Sequence, residues 1–274
     1  MSSPVVAMLT DYGRNDIYAG VLEATLLRYA PSARVISLTH DVPPQNLLSG
    51  AYLLASAVPY LPKGSTVLAV VDPGVGTGRR AVAVRTEHGT LVGPDNGLFD
   101  LVLADFPAVE IVELKERKYW AEHISQTFHG RDIFAPVAGH IANGVPLRSF
   151  GPSLDRADLA PLDLSPVHVE SSRVLGTVIH TDHFGNVVTS IRKNDIAEIL
   201  VKNVRVGAQK APLRERYSDV EEGDLVSYIG SAGYMEIAVR NGNAAQRLQA
   251  EQGSVVMVAI EGEFLSGVHS LPKF

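Results

Sequence analysis

A carboxylate, a glycine-rich turn and two arginines follow one another in VVDPGVGTGRR, residues 70–80. Asp72 ends an apolar run that reads as a buried strand, and a buried carboxylate is costly unless it is paired or used. Gly74 and Gly76 let the chain bend sharply, so that Arg79, with Arg80 as the alternative, can fold back over the acid. That arrangement holds a reactive carboxylate in a defined orientation.

Other polar residues gather at similar places. Asp11 ends the first apolar strand in LTDYGRNDIY, and Asp16 opens the helix that follows. Loops at the carboxyl ends of parallel strands are where open α/β sheets bind ligands. Asp11 and Asp16 also suit helix caps, and Asp72 a turn. In FHGRDIFAP, residues 128–136, His129 and Arg131 stand just before a helix, with Asp132 as a cap and Phe134 as a core residue. GPDNG, 93–97, is first of all a turn. In TDHFGN, 181–186, Asp182, Phe184 and Asn186 alternate in a strand-like segment and offer a carboxylate, an aromatic face and an amide from one side. An amide and an aromatic face are what a purine needs. His183 faces the other way. Asn241-Gly242, in GYMEIAVRNGNAA, is a hairpin signal.

These residue types permit two chemistries. Aspartates with a histidine at strand ends could bind a divalent metal, as in a phosphohydrolase. An Asp-Arg-His set could instead orient water, without a metal, toward an electrophilic carbon. No HxH or HExxH spacing is present, which weakens the metal reading but leaves both chemistries open on residue types. The leading expectation is a site with no metal and no cofactor.

The elements that position these residues follow from periodicity. Apolar, β-branched runs at 5–10, 34–39, 65–71 and 109–114 read as strands, with helical patterns over 17–29, 47–61 and about 133–143 between them. A hairpin over 81–92, turning near Glu87-His88-Gly89, interrupts the series. This predicts an N-terminal α/β domain, residues 1–150, with a largely parallel central sheet. A proline-rich linker is expected over 151–168. Short strands at 173–180, 186–191, 203–206, 225–229, 235–238 and 254–260 then predict a smaller C-terminal β-barrel or sandwich domain, residues 169–274. No clear element is read in 261–274.

Composition narrows the partners. At 274 residues, with 46% hydrophobic, the chain can bury a sizeable core. A net charge of −6 without a basic run argues against nucleic acid. The absence of cysteine removes disulfides and thiolate metal sites. No signal peptide or membrane span is apparent, so a cytoplasmic protein with no membrane partner is expected.

Taken in order, LTDYG, VDPGVGTGRR, VGPDNG, FHGRDIFAP, DHFGN and GNAA closely resemble the S-adenosyl-L-methionine hydroxide adenosyltransferase family, relatives of fluorinase and chlorinase, over nearly the whole chain. The resemblance implies hydrolysis of S-adenosyl-L-methionine to adenosine and methionine by attack of water or hydroxide on ribose C5′. It implies Asp72, Arg79 and His129 as the catalytic set, Asp11 on the ribose hydroxyls, and Asp16 and Asp182 at the methionine end. Phe184 and Asn186 would hold adenine, with Asn243 and Ala244 lining its pocket. It also implies a homotrimer with active sites between subunits. The fluorinase, by the same resemblance, has a tyrosine where this chain has Asp72, and a loop insertion after it. A carboxylate repels halide, which favours a hydrolase over a halogenase. A non-catalytic S-adenosylmethionine- or adenosine-binding protein is a further alternative.

Overall fold

The computed structural model describes residues 3–197 and 200–260. The chain divides into two compact units between Asp163 and Leu164. The reading of 261–274 lies outside the described residues.

The first unit is built on a six-stranded sheet in the order β2-β1-β3-β5-β4-β6. Its strands are β1 (Val5–Thr10), β2 (Arg34–Thr39), β3 (Ser65–Val70), β4 (Ala81–Thr86), β5 (Gly89–Pro94) and β6 (Ala108–Glu113). β1 pairs in parallel with β2 and with β3, and β3 with β5; only β4 runs against its neighbours β5 and β6. Every residue of β3 is buried, as expected of an unbroken apolar run covered on both faces. Helix α1 (Tyr18–Tyr29) packs against α4 (Ala135–Ala142), and α2 (Leu47–Ala57) against α3 (Asp100–Asp105). The core joins Met8 and Leu68 to Leu22, Leu26, Phe134 and Val137.

Two helices differ from the periodic pattern. α2 stops at Ala57 and tightens into a 3-10 turn, Val58–Tyr60, where Pro59 lacks the amide hydrogen an α-helix needs. α3 has only six residues, too few to establish a period in the sequence. Much of the proline-rich stretch clusters with the first unit. The Pro152 carbonyl accepts from the Glu113 amide at 2.9 Å, and Asp100 accepts from the Leu162 amide at 2.6 Å.

The second unit is an antiparallel, nearly closed barrel in the order β11-β10-β14-β8-β9-β13-β12, with β7 (His168–Glu170) added beside β8. The strands are β8 (Arg173–Thr181), β9 (Val187–Arg192), β10 (Val201–Val206), β11 (Gln209–Ala211), β12 (Leu225–Ile229), β13 (Tyr234–Val239) and β14 (Val255–Ile260). A bridge from Leu213 to Ser227 brings the two end strands toward closure. One short helix, α5 (Ala244–Leu248), follows β13. Among the described residues no helix is long and apolar enough to cross a membrane.

Candidate active site

β1 leads through α1 to β2 on one side, and the chain then returns through α2 to β3 on the other. The crevice between the carboxyl ends of β1 and β3 is therefore the topological switch point of the sheet, where such folds hold ligands. Thr10 and Val70 are register partners at this end, so Asp11 and Asp72 leave adjacent strands there.

Asp72 and Arg79 form a forked ion pair. Arg79 Nε donates to Asp72 Oδ1 at 2.8 Å, and Nη2 donates to Oδ2. Their side chains are only 6% and 11% exposed, so water screens the pair little. The turn between them is self-supporting: the Asp72 carbonyl accepts from the Val75 amide, and the Thr77 hydroxyl donates to the Gly74 carbonyl at 2.7 Å. Gly76 has φ +79°, and a Cβ there would meet the Gln126 carbonyl. The turn is thus fitted against the segment leading to His129. Gly76→Ala is expected to cost about 1–3 kcal/mol of stability and to lower turnover, with thermal unfolding and steady-state rates as the measurements.

Arg80 does not compete for Asp72. Its Nε donates to Asp95 at 2.8 Å, and Asp95 in turn accepts from the Ala160 amide. The GPDNG turn therefore sorts the two arginines. Its Asn96 also donates to the Val71 carbonyl at 2.9 Å, fixing the residue before Asp72.

His129 stands at the start of a single π-helical turn, Gly130–Phe134, that runs into α4. Such turns recur at functional sites. Arg79 Nη2 lies 3.3 Å from His129 Nδ1. A guanidinium has no acceptor, so Nδ1 must receive the bond, and the neutral ring carries its proton on Nε2. Burial first, and then the Arg79 charge, hold the His129 pKa below its ordinary value, against the opposing pull of Asp72 and Asp132. Asp132 is not the cap its position suggests: it lies inside the π-helical turn, is buried, pairs with Arg131 at 2.6 Å and accepts from the amide of Ser125, earlier in the chain, at 2.7 Å. Phe134 is a core residue as expected, and its ring also lies 5.1 Å beneath the Arg79 guanidinium.

Asp11 accepts from the Gln45 amide at 2.8 Å, and its pKa is raised chiefly by burial. Tyr12, which its place in LTDYG does not mark out, is part-buried between these groups. Its phenol is pushed up by burial and by the Asp11 and Asp72 charges, and it packs edge-on against Phe128 and Tyr18. Asp16 is exposed ahead of α1, accepts from the Ile17 amide, and makes no hydrogen bond or ion pair with Asp72, Arg79 or His129. Among the described residues no three His, Asp or Glu side chains converge as metal ligands would.

In the second unit the alternation read in TDHFGN is a tight turn joining β8 to β9 rather than a strand. Asp182 closes it, accepting from the Phe184 and Asn186 amides at 2.9 and 2.8 Å and from the Asn186 side chain at 2.9 Å. Gly185 at φ +84° completes it, and a Cβ there would strike the Asn243 side chain. Asn241-Gly242 likewise turns into a helix, not a hairpin: Asn243 caps α5 by accepting from the Gln246 amide at 2.8 Å. Asp182, Phe184, Asn186 and Asn243 therefore share one end of this unit. Phe184 is 74% exposed, whereas Ala244 is wholly buried in the unit's core.

Residues 6–151 match the SAM hydroxide adenosyltransferase N-terminal domain, and residues 176–257 match the C-terminal domain of the same family. The chain belongs to the SAM hydroxide adenosyltransferase family. It is 42% identical over 259 residues to the (R)-S-adenosyl-L-methionine hydrolase of Thermus thermophilus, covering 92% of this chain and 98% of that protein. It is 41% identical over 257 residues to the enzyme of the same name from Salinispora tropica, covering 93% and 98%. A fluorinase from Nocardia brasiliensis is more distant, at 24% identity over 94% of this chain and 97% of its own. Among solved structures, an uncharacterized conserved protein from Thermotoga maritima superposes with a TM-score of 0.85 at 37% identity, covering 93% of this chain and 99% of that one. Family membership accounts for both units, since each family domain falls within one of them.

Proposed function

We propose that the protein hydrolyses S-adenosyl-L-methionine to adenosine and L-methionine, with Asp72, Arg79 and His129 orienting the attacking water. The observation that carries this reading is the Arg79 guanidinium bonded at once to both oxygens of Asp72 and to His129 Nδ1. The sulfonium is already a good leaving group, so the protein need only align a water with C5′–S and raise its nucleophilicity. One lone pair of the water forms the bond to C5′. The C5′–S bond breaks with its electron pair passing to sulfur, which leaves as the neutral thioether of methionine. Asp72 accepts the proton lost by the water. His129, with its proton on Nε2, donates to the water oxygen rather than serving as the base. Arg79 fixes the carboxylate in place by its forked contact and selects the histidine tautomer.

Substrate would be held by Asp11 at the ribose and Asp16 and Asp182 at the methionine end, with Phe184, Asn186, Asn243 and the backbone at Ala244 around adenine. Phe184, exposed at 74%, suits a face that awaits a flat ligand. The homotrimer implied by the family resemblance belongs to the same proposal, with a neighbouring copy contributing the adenine-binding groups; light scattering should give the mass of three chains. The substrate is an intracellular metabolite, and a cytoplasmic location is proposed with it. A metal-dependent phosphohydrolase is not favoured, because Arg79 already pairs the Asp72 charge and, among the described residues, no three His, Asp or Glu side chains converge as metal ligands would.

The names of the relatives specify the R sulfonium epimer, and we extend that preference to this chain. The test supplies the R and S epimers separately, with and without chelator, and follows adenosine and methionine by chromatography. Adenosine from the R epimer, undiminished by chelator, is the expected result; turnover that vanishes with chelator and returns with a divalent ion contradicts it.

The protonation state of His129 gives a pH dependence. Its folded pKa lies below the usual 6.5 or so, so the ring is neutral at pH 7 and takes up a proton only as the pH falls beneath that range. Protonation removes the Nδ1 acceptor and places a cation beside Arg79. Turnover should therefore be level above neutrality and fall on an acid limb below about pH 6.5. In His129→Asn the remaining activity should lack that limb.

A further inference from the structure

The Asp11 carboxylate is held by a device that the reaction scheme does not use. β1 and β2 slip register between Met8 and Leu9, so that Leu9 faces Thr39 after Met8 has faced Ser37. A slip of this kind re-aims the residues beyond it, and here His40 comes beside Thr10. The His40 ring is 5% exposed and lies between two hydroxyls, Thr10 Oγ1 at 2.9 Å from Nδ1 and Ser37 Oγ at 3.1 Å from Nε2. The charged groups around it are Arg14, Asp41 and Glu23.

The backbone of the same segment wraps the residues that carry Asp11. The Gly13 amide donates to the His40 carbonyl at 2.7 Å, and the Val42 amide donates to the Thr10 carbonyl at 3.3 Å. The Tyr12 amide donates to Thr10 Oγ1 at 3.2 Å, the hydroxyl that His40 also holds. Gln45, whose amide meets Asp11 Oδ2, has φ +63°, a conformation costly for a residue with a side chain. Strain of this kind persists only where surrounding bonds enforce it, and it concentrates at ligand sites. Ring, loop and strained amide together leave the Asp11 carboxylate little freedom.

We infer that His40 is a positioning residue for substrate binding, acting through Thr10 and the 10–13 backbone to set the Asp11 carboxylate. It touches no reacting atom. The inference rests on the proposed role of Asp11 at the ribose, and its effect should appear in binding rather than in the chemical step.

The test is a double-mutant cycle between His40→Ala and Asp11→Asn, read as KM and kcat for R-S-adenosylmethionine, adenosine Kd by calorimetry, and thermal unfolding. His40→Ala should weaken adenosine binding and raise KM by about tenfold or more while kcat stays within about threefold, and in the Asp11→Asn background it should add no more than about twofold. An unchanged Kd and KM in His40→Ala, or a full independent loss on top of Asp11→Asn, would make His40 a packing residue only and overturn the inference. If His40→Ala does not fold, Thr10→Val against Thr10→Ser decides: loss of affinity in the first with retention in the second upholds it, and equal behaviour overturns it. Adenosine affinity unaltered by Asp11→Asn overturns it at its premise while leaving the hydrolase reading intact. A wild-type protein that binds adenosine but makes none refutes the hydrolase reading, and the calorimetric cycle still decides the role of His40.

Discussion

Asp72→Asn lowers kcat for S-adenosylmethionine hydrolysis by about two to four orders of magnitude, the range expected when a positioned proton acceptor is lost, and leaves KM within a few-fold. Asparagine keeps the shape of the side chain, but its amide accepts at one end only and takes no proton. The binding groups proposed for ribose, methionine and adenine are elsewhere, at Asp11, Asp16 and the turn closed by Asp182. Steady-state kinetics with adenosine as the measured product separates the two parameters. A variant with undiminished kcat would remove Asp72 from the mechanism. Stability is read alongside, because the substitution leaves the Arg79 guanidinium, itself only 11% exposed, without its counter-charge.

Arg79→Ala has the second large effect, and it falls on stability as well as rate. Removing one member of a buried ion pair strands the other, at a cost of about 3–5 kcal/mol. Three contacts go together: the fork on Asp72, the bond to His129 Nδ1 and the stacking on Phe134. Without them the carboxylate is no longer fixed and the histidine tautomer is no longer selected, so kcat should drop by about a hundredfold or more. Arg79→Lys preserves charge but not the planar fork, and should recover little of the rate. Pairing Arg79→Met with Asp72→Asn should regain part of the lost stability and none of the activity, as thermal unfolding and kinetics would show. If Arg79→Lys matched the wild type in both, a single positive charge would suffice and the forked geometry would be incidental.

Much of this arrangement is legible in the chain. β1 and β2 are bounded as their apolar, β-branched runs suggest, and β3 ends one residue early. The parallel order of these strands turns two separate motifs, LTDYG and VDPGVGTGRR, into neighbours at the carboxyl ends of β1 and β3. Asp11 and Asp72 can therefore be found from strand ends alone.

What stays hidden depends on contacts distant in sequence. Arg79 and Arg80 are chemically equal neighbours, and it is Asp95, well beyond Arg80 in the chain, that separates them. The π-helical turn after His129 leaves no periodic trace in five residues. Asp182, Phe184 and Asn186 alternate as a strand would, but Asp182 folds its carboxylate onto the amides that follow and makes a turn. His40 has the look of a residue after an ordinary strand; its place beside Thr10 comes from a register slip that only the paired strands reveal.

The central claim is that a water oriented by Asp72 and His129 attacks C5′ and expels methionine. Turnover of R-S-adenosylmethionine in water enriched in heavy oxygen, with chelator present, tests it most directly through mass spectrometry of both products. The predicted result is one heavy oxygen in adenosine, at the 5′ hydroxyl, and none newly incorporated in methionine. Heavy oxygen in the amino-acid product, or cleavage that yields methylthioadenosine instead of adenosine, would contradict it.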